Sequence, residues 1–248
     1  GETEFPLDSD KMAGYVLEAI KAGANIIGGC CGTGPEYIKN AAKVIKEKSI
    51  ESELNLSTIE KDKERCNPTV KLASRTKTVK IGKDLPTRVI GEKINPSGKD
   101  ELKEEMKRGD MNLTANEAVK QVKAGADILD INVGIAGIDQ AELMKKALNV
   151  VHNTIDVPVS IDTDNIEVME DALQSVIGRP FLNSVTGEEE RLKKILPLAL
   201  KYGAAVVGLT MDSSGIPETV EERYNIADKI VDNCLNIGLS REDIIIDP

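Results

Sequence analysis

From Arg88 onward, short aliphatic runs alternate with longer stretches whose apolar residues recur every three or four positions. The runs at 88–92, 127–132, 157–162, 180–184, 204–210 and 243–247 have the length and β-branched content of buried strands. The stretches between them, at 114–124, 139–153, 166–176, 187–202 and 219–237, predict amphipathic helices. Gly125 and Gly203 stand where two of these helices should stop. Glu188, Glu189 and Glu190 fall in a first turn, where the helix dipole favours negative charge. Such alternation predicts an α/β fold with a parallel sheet. An open doubly wound sheet would place a glycine-rich phosphate loop after its first strand. Here that strand runs into Glu92-Lys93-Ile94-Asn95-Pro96-Ser97-Gly98, which lacks the spacing. The favoured fold is therefore a (β/α)8 barrel of the TIM type, incomplete at about six strands.

Residues 1–45 read as helix, strand, helix. Asp8, Ser9 and Asp10 offer N-cap groups ahead of Met12, Tyr15, Val16, Ala19 and Ile20, and Gly23 is a stop. Ala24-Asn25-Ile26-Ile27 predicts a short strand leading into Gly28-Gly29-Cys30-Cys31-Gly32-Thr33-Gly34, and Pro35 suits the first turn of the next helix. One and a half βα units cannot close a core, so the chain is expected to begin inside a domain. Residues 46–86 form a linker of mixed charge, poor in large apolar residues. Within it, partial alternation from Val70 to Ile81 predicts a hairpin closing one end of the domain at 87–248.

The polar residues that end the aliphatic runs carry the chemistry. Glu92, Asn95, Asp130, Asn132, Asp162, Asn183 and Asp247 would all emerge at one end of a parallel sheet, the end where barrel enzymes bind their ligands. Carboxylates and amides converging on one mouth suit a flat heterocycle with an amidine-like edge, whose two N–H donors one carboxylate can accept together. Each residue alone is more often the cap of its own loop. A divalent metal held by the carboxylates is the rival reading. The single histidine, His152, is expected on a helix surface. The vicinal Cys30 and Cys31 can share a zinc ion only if the backbone bends between them, for which the flanking glycines give freedom. The alternative is a pair of buried, inert thiols. Cys66 and Cys234 stand apart from this pair, and a third ligand is expected upstream of Gly1.

Composition narrows the field. The formal net charge of −10 disfavours a nucleic-acid binder, and two Phe, four Tyr and no Trp leave little for stacking bases. No apolar run approaches the roughly 20 residues of a membrane span, and residues 1–20 contain no signal-peptide core. A cytoplasmic protein with no membrane or nucleic-acid partner is expected.

Two stretches resemble known families. Ala24-Asn-Ile-Ile-Gly-Gly-Cys-Cys-Gly-Thr33 resembles the last strand of the homocysteine S-methyltransferase barrel, whose zinc is held by three cysteines. Arg88–Pro248 resembles the pterin-binding barrel of methyltetrahydrofolate methyltransferases, in Ile90-Gly-Glu-Lys-Ile-Asn95, Leu129-Asp-Ile-Asn-Val-Gly134, Ile161-Asp162, Leu182-Asn-Ser184, Gly208-Leu-Thr-Met211 and Ile246-Asp-Pro248. Their order resembles the cobalamin-dependent methionine synthase family. The resemblance implies that Asp162, Asn183 and Asp247 contact the pterin, with Glu92 and Asn95 in a motif beside it. It implies zinc on Cys30 and Cys31, cobalamin on a separate module or corrinoid protein, and 5-methyltetrahydrofolate and homocysteine as substrates. The family's asparagine that hydrogen-bonds N5 of the folate would lie beyond Pro248, so the chain reads as an interior fragment, with little activity expected of it alone. The alternatives are a stand-alone methyltetrahydrofolate–corrinoid protein methyltransferase and a folate-binding fragment without activity. Dihydropteroate synthase is a more distant relative.

Overall fold

The computed structural model describes residues 7–24, 26–29, 32–47 and 68–248. The chain divides into two units, Gly1–Cys66 and Asn67–Pro248.

In the first unit, helices α1 (Ser9–Lys21) and α2 (Pro35–Glu47) pack together. Asp8 caps α1 by accepting from the Lys11 amide at 2.8 Å, and Gly23 follows it at φ 97°. The Asn40 amide donates to Ser9 Oγ and Asp10 Oδ1, while Ala13, Val16 and Ala41 are buried. The predicted strand at 24–27 is not formed at Ala24, Ile26 or Ile27; Asn25 lies outside the described residues. Ile26 is 94% exposed. A strand exists through its neighbours' hydrogen bonds, and the described residues of this unit supply no neighbouring strand.

The second unit opens with an antiparallel hairpin, β1 (Val70–Ala73) and β2 (Thr78–Ile81), pairing Val70 with Ile81 and Leu72 with Val79. Six parallel strands follow: β3 (Ile90–Ile94), β4 (Ile128–Asn132), β5 (Val159–Asp162), β6 (Phe181–Val185), β7 (Ala205–Leu209) and β8 (Ile244–Asp247). Each pairs with the next in sequence. This order never reverses, as a doubly wound sheet must, so the sheet winds in one direction as a barrel does. Helices α4 (Asn112–Lys123), α5 (Gln140–Thr154), α6 (Ile166–Ser175), α7 (Glu189–Tyr202) and α8 (Val220–Asn236) connect the strands. They bury Leu129, Ile131, Val159, Ile161, Leu182 and Val206 of the sheet against their own apolar stripes.

One further helix, α3 (Asp100–Lys107), breaks no sequence rule but is too charged to stand out: only Leu102, Glu105 and Met106 are buried. The Glu105 carboxylate accepts from the Leu113 amide at 2.8 and 3.0 Å, satisfying an orphan donor at the start of α4. This external cap lets α4 begin at Asn112. His152, expected on a surface, is half-buried on α5, and its Nε2 accepts from the Ile177 amide at 3.1 Å.

The two faces of the sheet are filled differently. On the inner face, Ile128, Phe181 and Ala205 near the strand starts pack on Val70 and Leu72 of the hairpin, with Val207 and Ile245 against them. The hairpin thus plugs the amino-terminal end of the sheet, as expected. Arg179 fastens it: its backbone pairs with Ala73, and its guanidinium donates to the Lys71 and Gly203 carbonyls and pairs with Asp243. The hairpin therefore belongs to the second unit, whose boundary lies near residue 67.

Candidate functional site

Side chains alternate along a strand, so the inner-face residues above Ile128 are Asp130 and Asn132, and the one above Phe181 is Asn183. The register aligns Asn132 with Asp162, and Asp162 with Asn183, in one row across β4, β5 and β6. Asp130 lies one step below, opposite Ser160. Two hydrogen bonds knit the row: Asn132 Nδ2 donates to Asp162 Oδ2 at 2.8 Å, and Asn183 Nδ2 donates to Asp130 Oδ1 at 3.0 Å. Asn132 Oδ1 accepts from the Gly134 amide at 2.7 Å, which fixes the direction of its own amide.

Electrostatics mark the same residues. Burial pushes the Asp130 carboxyl up to about 6; hydrogen bonds from Ser160 and Asn183 oppose this, and the charges of Asp162 and Glu92 reinforce it. Burial also raises Asp162, against the Asn132 hydrogen bond and together with the charge of Asp164. Two carboxyls held close in a half-dry mouth are poised to accept N–H donors, because a bound donor relieves the cost of ionising them. Beside them a cleft of about 550 Å³ opens, lined by Asn132, Gly134, Gln140, Asp162 and Thr163 among others. That volume suits a small-molecule site.

The other predicted site residues divide. Glu92 on β3 is exposed and acts on Asp130 through its charge. Asn95 closes its own turn, accepting from the Ser97 amide at 2.9 Å, as the commoner role of such a residue anticipates. Asp247 is exposed at the same end of the sheet, but β7 separates its strand from β6. It lines a smaller cleft of about 180 Å³ with Leu209, Thr210 and Arg223, and among the described residues no hydrogen bond joins its side chain to the row. Cys30, Cys31 and Cys66 lie outside the described residues. Cys234 is buried and free, its thiol pushed up to about 12 by burial, which makes it a packing residue and no nucleophile. Among the described residues no group of three His, Cys, Asp or Glu is placed to hold a metal ion. No described helix is long and apolar enough to cross a membrane.

Ser160 was not singled out in the sequence. A hydroxyl inside a buried strand, two positions before Asp162 and therefore on its face, was the available signal.

This wound sheet with its polar mouth defines a TIM-barrel-like α/β fold, and the family model described as pterin binding enzyme matches residues 91–248. The chain belongs to that family. Residues 1–45 match the homocysteine S-methyltransferase model. The chain is similar to the methionine synthases of Mycobacterium leprae and Mycobacterium tuberculosis, each 28% identical over 254 residues covering 98% of this chain. It spans about a fifth of the length of these curated relatives. Among solved structures it resembles a dihydropteroate synthase of Xanthomonas albilineans, with TM-score 0.56 and 20% identity over 74% of this chain and 65% of that one. The 7,8-dihydropteroate synthase of Vibrio fischeri is similar over 72% of this chain and 66% of its own, with TM-score 0.50 and 22% identity. At these identities the two structures speak to the fold alone.

Proposed function

We propose that the mouth of the second unit binds the pterin ring of 5-methyltetrahydrofolate, and that the chain is the folate-binding part of a methyltransferase of the methionine synthase type. The observation that carries this reading is the linked row Asn132–Asp162 and Asn183–Asp130, two carboxyls each oriented by an amide on adjacent strand ends. The family match over 91–248 and the methionine synthase relatives support it.

The pterin's pyrimidine edge carries a ring N–H beside an exocyclic amine, and one ionised carboxylate accepts both. Asp162, half-exposed in the row, is the acceptor; Asn132 holds its second oxygen in place. Asp130, 4% exposed and beneath the row, adds negative potential and keeps Asn183 turned so that its carbonyl faces the ligand. N5 of methyltetrahydrofolate leaves poorly until it is protonated or strongly hydrogen-bonded, and an acidic mouth favours positive charge there. Glu92 extends the acidic rim. A corrinoid on a separate module would supply the acceptor for the methyl group, and Cys30 and Cys31 would hold a zinc ion that keeps the homocysteine thiol as its thiolate. The match of residues 1–45 to homocysteine S-methyltransferase favours this reading over a stand-alone corrinoid protein methyltransferase and over dihydropteroate synthase chemistry. The free thiol of Cys234 suits the reducing cytoplasm.

Calorimetry with 5-methyltetrahydrofolate tests the assignment. Asp162→Ala and Asn183→Ala should each weaken binding more than tenfold. Unchanged affinity in both would remove it.

A further inference from the structure

Strands β3 and β4 pair in register at Ile90–Ile128 and Gly91–Leu129, then resume at Ile94–Ile131. Two residues of β3, Glu92 and Lys93, therefore stand opposite one residue of β4, Asp130. This is a β-bulge, a device that re-aims side chains and leaves backbone groups without ladder partners. Its effect on phase is large, because one extra residue moves all that follows to the other face. Ile94 is carried into the helix-facing core, where it is fully buried, and Glu92 remains on the side of Asp130 and acts on it electrostatically.

What holds the bulge comes from outside the sheet. Gln121, on α4 and 9% exposed, accepts the Lys93 amide on its Oε1 at 2.8 Å. Its Nε2 has no partner among the described residues, so the side chain is held by its acceptor alone. Gly91 makes room for it: a Cβ there would come within 2.6 Å of Gln121 Oε1 and 3.0 Å of Leu129 Cδ2. A buried glutamine with an unspent donor is a costly way to satisfy one amide, unless the bulge itself is needed.

We propose that Gln121 is a positioning residue for the pterin mouth: it clamps the Lys93 amide, and so steadies the bulge beside which Glu92 faces Asp130. The proposal rests on the pterin reading for its consequence and on the bulge for its geometry, and two measurements on the 248-residue chain keep these apart. The first needs no ligand. Hydrogen exchange at the Lys93 amide should be slow in the wild type, at least tenfold faster in Gln121→Leu, and slow again in Gln121→Glu, which keeps an oxygen at the same reach. Equal exchange in all three overturns the clamp. The second is a double-mutant cycle read by calorimetry with 5-methyltetrahydrofolate. Gln121→Leu should weaken binding about tenfold alone, yet add less than twofold once Glu92→Ala is present. Losses that multiply would show that Gln121 only stabilises the fold, and the positioning role would fall. Where Gln121→Leu does not fold, Gly91→Ala, which crowds the same oxygen, carries both measurements. A wild type that binds no methyltetrahydrofolate but shows the exchange pattern would overturn the pterin reading and leave the clamp standing.

Discussion

The inner face of the second unit is two regions built on the same strands. Near the strand starts, Ile128, Phe181 and Ala205 close on Val70 and Leu72 of the hairpin. Two residues further along, the same strands present Asp130 and Asn183. A step of two residues is about 7 Å along a strand and keeps the side chain on the same face. Within that distance the surroundings change from fully apolar to a pair of carboxyls whose ionisation is opposed by burial. The lower region stabilises; the upper one is held in a state that water or a ligand would relieve. A site of this kind can sit inside a fold only because the apolar plug beneath it offsets the cost.

The division predicts that stability and binding respond oppositely to substitution. The largest effect is expected at the plug: Phe181→Ala should cost about 3–5 kcal/mol, read by urea denaturation, since a fully buried phenyl ring leaves a cavity the sheet cannot close. The folded fraction should still bind methyltetrahydrofolate. A loss of affinity as large as that of Asp162→Ala would show the two regions to be one.

Asp130→Asn should do the reverse, stabilising the fold at pH 7.5 by roughly 2 kcal/mol while weakening pterin binding. The gain depends on pH in a defined direction. The folded carboxyl titrates near 6 and the unfolded one near 4, so the folded state binds more protons between those values. Its contribution to stability falls as pH rises through that window, and the penalty is complete above it. The advantage of Asp130→Asn over the wild type should therefore be near zero at pH 4 and reach its plateau by about pH 7. A difference constant with pH would mean that the carboxyl is unperturbed and the upper region is not under strain.

Ligand binding should sharpen the same point. If the pterin edge is accepted by ionised carboxyls, binding at pH 6 expels protons, and calorimetry in buffers of unequal ionisation heat should count a fraction of one proton released per ligand. The smallest effect belongs to Asn132→Ala. It should leave stability within about 0.5 kcal/mol, because the residue is half-exposed, yet weaken binding several-fold by freeing Asp162 to turn. Retained affinity there would show that the amide merely closes the turn at Gly134.

Much of this was legible in residue order. All six strands lie where the aliphatic runs predict them, and five helices follow within a few residues, because a parallel strand buried on both faces and an amphipathic helix each leave a distinct period. The hairpin was legible through its alternation, and the stop signals through Gly125 and Gly203, at φ 105° and 68°. Three things were not. Helix α3 is dominated by charge, and its existence depends on docking Leu102 and Met106. The run at 24–27 has strand chemistry without a described partner. Gln121 looks like any solvent-facing residue of a helix until Lys93 is placed above it.

The sequence by itself determined which residues could serve the mouth, because strand length and the period of two put every strand-end polar group at the same edge of a parallel sheet. The tertiary structure decided which of them act together. Asn183 reaches Asp130 across 53 residues of chain, while Asn95 turns back on its own loop and Asp247 faces another cleft. The reason is register: hydrogen bonding between strands, and one bulge in β3, set the lateral neighbours of each carboxyl, and neither is written in the local pattern of any single strand.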